Sequence, residues 1–170
     1  SPTANTTYTV TVTSVHGCTA TDEATVSVKP PVSVAAAADK TSFCAGGSAQ
    51  LSAVATHGTG QFTYAWTSSP AGFVSNVGNP LVSPTEDTKY TVVVSDGVGA
   101  ATASVDIRVF PLPLTNAGSD VSILIGTSAT LTATGGQSYG WSTGSTDPSI
   151  VVSPVLTTTY YVTATNANGC

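Results

Sequence analysis

One stretch of this chain is written three times, and it constrains the fold more than any other feature. Ser-Pro and a few polar residues lead into Thr/Lys-Tyr-x-Val-x-Val/Ala at Ser1–Val12, again at Ser83–Val94, and again at Ser153–Ala164. In each copy Tyr, Val and Val or Ala fall on one parity, and Thr or Ser mostly fall on the other. That is the two-residue period of a strand with one buried and one wet face, entered from a polar turn.

Composition agrees with strands. Thr, Ser and Val dominate the 170 residues, Met is absent and Leu is sparse, so helix formers are scarce. Only 8% of residues are charged, with a formal net charge of −5 and four Lys plus Arg in all. Such a surface lacks the basic footprint of a nucleic-acid binder. No apolar run approaches the ~20 residues of a membrane span, so membrane insertion is not expected. No basic-then-apolar leader opens the chain. Because it opens inside a repeat, Ser1 is expected to lie within a longer parent.

Taken in order, residues 1–30 read as the C-terminal hairpin of a partial repeat. Tyr8–Thr13 and Ala24–Val28 are its strands, Val15-His16-Gly17-Cys18 is its turn, and Lys29-Pro30-Pro31 is a stiff linker. Residues 31–110 read as a complete repeat. Its strands are expected at Val32–Ala38, Ala49–Ala55, Phe62–Thr67, Tyr90–Ser95 and around Val105, Ile107 and Val109, with a turn at Cys44-Ala45-Gly46-Gly47. Ser69–Pro80 is an irregular excursion, and Asp96-Gly97-Val98-Gly99 is a hairpin turn of suitable residue types. Residues 111–170 repeat the plan without its last strand: Gly126–Ala133 matches Gly46–Ala53, and Tyr139-Gly140-Trp141-Ser142 matches Tyr64-Ala65-Trp66-Thr67.

Short strands at regular spacing predict an all-β fold of tandem immunoglobulin-like β-sandwich repeats, the terminal ones incomplete. Trp66 and Trp141 are expected in the cores, with Tyr90 and Tyr160 as tyrosine corners and Leu51/Leu131 and Val92/Val162 in place of an inter-sheet cystine.

The pattern Gly-x-Ser-x-x-Leu-x-Ala, Tyr-x-Trp-Ser, Ser-Pro-x-x-Thr-Thr-Tyr-x-Val, Gly-Cys resembles the tandem Ig-like (PKD-like) repeats of large secreted or cell-surface proteins of Bacteroidota-type bacteria. Phe43-Cys44-Ala45-Gly46 and Asn116-Ala117-Gly118-Ser119-Asp120 resemble the repeat openings of that family. The resemblance implies an extracellular or cell-surface location and a stalk or spacer role in adhesins or in multidomain secreted hydrolases. It also implies a cysteine ahead of the first Gly and another in the Gly-Cys turn. Cys44 and Cys170 keep one position each, whereas Ala100 and Leu124 replace the others.

Three cysteines in a chain of extracellular class leave at least one without a partner inside it. If repeats are strung end to end, the turn of Cys44 and the turn of Cys170 face the same junction. A Cys44–Cys170 bridge between neighbouring repeats is the pairing we expect, with Cys18 partnered from a preceding repeat. Two alternatives stay open at this point: pairing within one repeat in relatives, which orphans these cysteines, and buried free thiols.

No residue is assigned to catalysis, cofactor binding or metal binding. Gly140-Trp141-Ser142-Thr143-Gly144 has the Gly-x-Ser-x-Gly nucleophile spacing, but no helix is expected after it and no His follows His57. It reads as a strand end and turn. His16 and His57 read as exposed turn residues; His16 with Cys18 supplies only two metal ligands. Asp22-Glu23 and Glu86-Asp87 are too sparse for the six to eight oxygens calcium takes. Phe62, Phe73 and Tyr161 are candidates for a sugar-stacking platform, with loop packing as the plainer reading, and Phe110-Pro111-Leu112-Pro113-Leu114 is expected to bury itself at a repeat junction.

The function expected is therefore a non-enzymatic structural spacer, with no cofactor and with neighbouring repeats as partners. Cell-surface glycans or other surface proteins are the partners of the first alternative, a binding module of a secreted enzyme. A strand-exchanging filament subunit is the second.

Overall fold

A computed structural model describes residues 1–170 and holds fourteen strands and no helix. The protein is all-β. It divides into two compact units, one of Ser1–Ala38, Leu51–Pro80 and Lys89–Val105, the other of Asp39–Gln50, Leu81–Thr88 and Asp106–Cys170. The partition runs through the middle segment, whose longer strands contribute to both units.

In the first unit β1 (Thr6–Thr13) and β2 (Thr19–Val26) form an antiparallel hairpin registered from Thr6↔Val26 to Thr13↔Thr19. The register gathers Tyr8, Val10 and Val12 with Ala20, Asp22 and Ala24 on one face, and on the other sets Thr7, Thr11 and Thr13 opposite threonines and Thr9 opposite Glu23. Both strands are exposed throughout most of their length, and an isolated hairpin is marginal in water. Side chains brace it: Thr7 and Thr25 hydroxyls meet at 3.0 Å, and the Val28 N–H donates to Asn5 Oδ1 at 2.8 Å. The linker is then pinned where the Gly58 N–H donates to the Pro30 carbonyl at 3.1 Å.

The middle segment supplies β3 (Ser33–Ala38), β4 (Ser42–Cys44), β5 (Ala49–Thr56), β6 (Thr63–Ser69), β7 (Val74–Ser75), β8 (Leu81–Val82), β9 (Thr88–Ser95) and β10 (Ala100–Phe110). They form two sheets, β3-β5-β8 and β4-β10-β9-β6-β7, as a sandwich of the immunoglobulin-like kind would require. Alternation follows the sequence: Ala49, Leu51 and Ala53 on β5 are buried, as are Tyr90, Val92 and Val94 on β9. Trp66 is 1% exposed and Tyr90 3%, so both large rings lie inside. Trp66 Nε1 donates to the Gly78 carbonyl at 3.3 Å, which satisfies the one polar atom of the indole. Tyr90 is gripped by Phe73, edge-on at 5.4 Å between centroids. Ser69–Pro80 thus serves as a lid that partners both rings.

In the second unit β4 pairs in parallel with β10, with Phe110 opposite Cys44. Cys44, expected in a turn, is the last residue of the short strand Ser42–Cys44. Beyond β10 the chain forms β11 (Ala129–Thr132) with β13 (Ser149–Val152), and β12 (Ser138–Trp141) with β14 (Val162–Thr165). Ala133, Trp141, Ile150 and Val152 make the core, and Trp141 Nε1 donates to the Asp147 carbonyl at 3.0 Å. Both of these sheets are two-stranded, and Leu131, Tyr160 and Val162 stay partly exposed where Leu51, Tyr90 and Val92 are buried. Leu131 and Tyr160 border an open groove of about 720 Å³ whose other wall is Ala117–Ile123 with Ile125.

In the first hairpin the returning strand runs Thr19–Val26 and not Ala24–Val28, because all of β1 from Thr6 to Thr13 is paired. Two further expectations change. Leu112 and Leu114 are 58% and 92% exposed, so Phe110–Leu114 is not a buried apolar linker. Pro111 and Pro113 fix φ and withhold N–H donors, and the segment is held instead through carbonyls: Phe110 accepts from Ala45 N–H and Pro111 from Asn166 Nδ2, both at 2.8 Å. Next, β14 starts at Val162 and not at Tyr160. The Tyr161 backbone pairs with Ser142, whose N–H donates to the Tyr161 carbonyl at 2.8 Å and whose Oγ accepts the Tyr161 N–H at 3.2 Å.

Gly135 is the position least able to change. Its φ is +91°, and a Cβ there would run into the Leu114 carbonyl. Gly135→Ala is expected to destabilise the second unit by at least ~1–2 kcal/mol, from the backbone conformation alone. Gly140→Ala, where a Cβ meets nothing within 4 Å, is the control that should leave the chemical-denaturation midpoint within error of the parent.

Candidate functional site

Three turns are built on the same device, a short polar side chain that accepts backbone N–H groups just downstream. At the first, Ser14 Oγ accepts the Cys18 N–H at 3.2 Å, and the Ser14 N–H donates to the Cys18 carbonyl at 2.8 Å. At the third, Asn166 Oδ1 accepts N–H bonds from Asn168 at 3.0 Å and from Cys170 at 3.1 Å, and the Asn166 N–H donates to the Cys170 carbonyl at 2.8 Å. Gly17 and Gly169 both take φ of +80°, so each turn needs its glycine.

The middle turn uses Asp96. Its Oδ1 accepts N–H bonds from Gly99 at 2.7 Å and Val98 at 2.9 Å, and its Oδ2 accepts the Thr59 N–H at 3.0 Å. The backbone N–H groups of Gly99 and Val98, with that of Thr59, hold the carboxyl below its ordinary pKa against a smaller desolvation effect. Tyr90 shifts the other way, its phenol raised above the ordinary value by burial.

The third turn carries the cross-link. Cys44 sits at the end of β4, opposite Phe110, where the Gly47 N–H donates to its carbonyl at 2.9 Å. One residue past Phe110, the Pro111 carbonyl accepts from Asn166 Nδ2, so the Asn166 side chain both shapes the Cys170 turn and ties it to the strand beside Cys44. Cys44 and Cys170 are joined in a disulfide with Cα atoms 5.6 Å apart, 126 residues apart in sequence. A loop of that length removes ~5 kcal/mol of chain entropy from the unfolded state on the loop-closure model. Cys18 is free and exposed.

The other singled-out residues stand apart from this junction. Ser142 closes the end of β12 by its bonds to Tyr161, in a turn where the Gly144 N–H donates to the Trp141 carbonyl at 2.9 Å. His57, at φ +64°, has Nδ1 3.4 Å from the hydroxyls of both Ser33 and Thr56, which lie 2.7 Å from each other. His16 is exposed at its hairpin tip. Asp87 Oδ1 accepts the Val109 N–H at 2.8 Å, and the Glu86 carbonyl accepts the Thr88 hydroxyl. Asp22 and Glu23 point to opposite faces of β2, and Glu23 reaches the Thr9 hydroxyl at 3.3 Å. No three His, Cys, Asp or Glu side chains gather as a metal cluster. Phe73 is engaged by Tyr90, Phe62 is half-buried in the first unit, and Tyr161 is exposed in the second.

Sequence reasoning singled out the cysteines and placed Asp96 in its hairpin turn, but missed Asn166 as the residue that shapes the Cys170 turn. The signal was present: Ser14, Asp96 and Asn166 are all small acceptors at matching places in the three turns. Neither a family model nor a curated protein matches the chain.

Two measurements check this geometry. Alkylation of the folded, non-reduced protein should modify Cys18 alone, with Cys44 and Cys170 labelled only after reduction, as read by peptide mass. Asp96 has its folded pKa below its unfolded one. Its contribution is therefore complete above the unfolded value and lost as pH falls through the folded value. In an NMR titration the Val98, Gly99 and Thr59 amide protons should move together, with a midpoint below the ordinary Asp value of 3.8.

Proposed function

We propose that this chain is a non-enzymatic structural segment of a long extracellular array of immunoglobulin-like sandwiches, holding other parts of its parent at a distance from a cell or matrix surface. The observation that carries this reading is the Cys44–Cys170 bridge, which spends two of three cysteines on a bond between the middle segment and residues 111–170. Disulfides persist in oxidising compartments and are rare in the cytosol, which supports a secreted or surface location. The Gly-x-Ser-x-Gly serine closes a strand end, Glu86-Asp87 lies in the turn ahead of β9, and Asp22-Glu23 sit on opposite faces of β2, uses that suit a scaffold. Sequence pattern adds to this, since the Tyr-x-Val-x-Val stretch recurs as array units do.

The test is to present the purified chain to a glycan array and to extracellular-matrix glycoproteins, and to follow its sedimentation over a range of concentrations. A spacer shows no saturable binding and sediments as a single species of constant size. Saturable retention on one glycan class would overturn the reading in favour of a binding module. Growth of the sedimenting species with concentration would overturn it in favour of a strand-exchanging subunit.

A further inference from the structure

Residues 45–169 lie inside a covalent ring closed by Cys44 and Cys170. A pull that enters ahead of Cys44 and leaves at Cys170 or beyond does not have to travel through them. Its shortest covalent path runs along the backbone to Cys44, across the two sulfurs, and out at Cys170. We propose that the bridge is a mechanical bypass. It exempts most of the chain from tension and leaves residues 1–43, with the β1–β2 hairpin, as the extensible part. The proposal extends the spacer reading, because it states how such a spacer would respond to load.

The geometry supports the division of labour. Inside the ring lie the strands that bury the two indoles, the β9 valines and the core of Ala133, Trp141, Ile150 and Val152. Outside it lies the exposed β1–β2 hairpin, whose chain enters at Thr6 and leaves at Val26, paired residues at the same open end. Tension across that end breaks the ladder one pair at a time. The hairpin therefore opens first; β3, laddered to β5 from Ser33↔Thr56 to Ala38↔Leu51, and β4, laddered to β10, must then be stripped from ringed strands before the load reaches Cys44.

The bypass is redox-dependent. A dithiol reductant attacks one sulfur of the bridge, forms a mixed disulfide, and closes on itself as a cyclic disulfide, leaving Cys44 and Cys170 as thiols. Two electrons pass from reductant to protein, and the shielded residues enter the load path. At full extension of roughly 3.3–3.6 Å per residue, the 126-residue separation adds about 420–450 Å of chain.

The full chain held by its two ends in an optical trap tests this. Without reductant, extension should stop at the length of the segment ahead of Cys44, about 145–160 Å by the same scale. With dithiothreitol, unfolding steps totalling about 420–450 Å more should appear. Cys44→Ser should give the long trace without reductant, and Cys18→Ser should leave the short one unchanged. Equal contour lengths with and without dithiothreitol in the unmodified protein would overturn the bypass, whether or not Cys44→Ser folds. Saturable glycan binding with the length difference intact would overturn the spacer function and leave the bypass standing.

Discussion

Burial of two indoles sets the terms for the rest of the structure. A tryptophan removes 150–250 Å² from water only if it is covered on both faces, and its N–H has to be bonded once it is inside. A single twisted sheet covers one face, so a second layer and a loop with a free carbonyl are both needed. The chain answers twice in the same way. Trp66 donates to Gly78, and Trp141 donates to Asp147, each a carbonyl in the stretch that follows the tryptophan's own strand. The irregular sequence after each indole is therefore part of the core's design. It supplies the acceptor that lets the largest side chain go inside.

How much of this was legible in the sequence depended on the kind of interaction. Period-two alternation at Ala49-x-Leu51-x-Ala53 and Tyr90-x-Val92-x-Val94 reported burial directly, because the physics that sorts those side chains acts at fixed spacing along one strand. β4 and β13 were harder. Ser42–Cys44 is strand because it lies parallel to β10, and Ser149–Val152 because it lies beside β11. Neither has a pattern of its own long enough to declare it. The leucines of Phe110–Leu114 misled for a related reason: hydrophobicity says what would be favourable to bury, and prolines decided that this segment is held by its carbonyls.

The cross-link shows the same division between what residue type reveals and what placement adds. Cysteine count and turn position were enough to nominate Cys44 and Cys170. What brings them together is a chain of polar contacts that sequence alone gave no reason to connect: Phe110 opposite Cys44, Pro111 beside it, and Asn166 spanning from Pro111 to the Cys170 amide. Asp96 in the middle turn accepts amides as Asn166 does, but Ala100 follows there instead of a cysteine. The turn geometry is thus independent of the disulfide. A hairpin of this type presents whatever residue follows its glycine, and only a thiol so presented becomes a cross-link.

One bond consequently acts through two different references. Thermodynamically, Cys44–Cys170 works on the unfolded chain, whose freedom it restricts whether or not any force is present. Mechanically, it works on the folded chain by changing which covalent route is shortest. The first effect grows only logarithmically with the length enclosed, so widening the ring adds little stability. The second grows in proportion to it, since every enclosed residue is one that tension does not reach. A bridge between residues far apart in sequence is a modest stabiliser for its span and a large mechanical shield. That asymmetry is the physical reason to place it between segments and not within one.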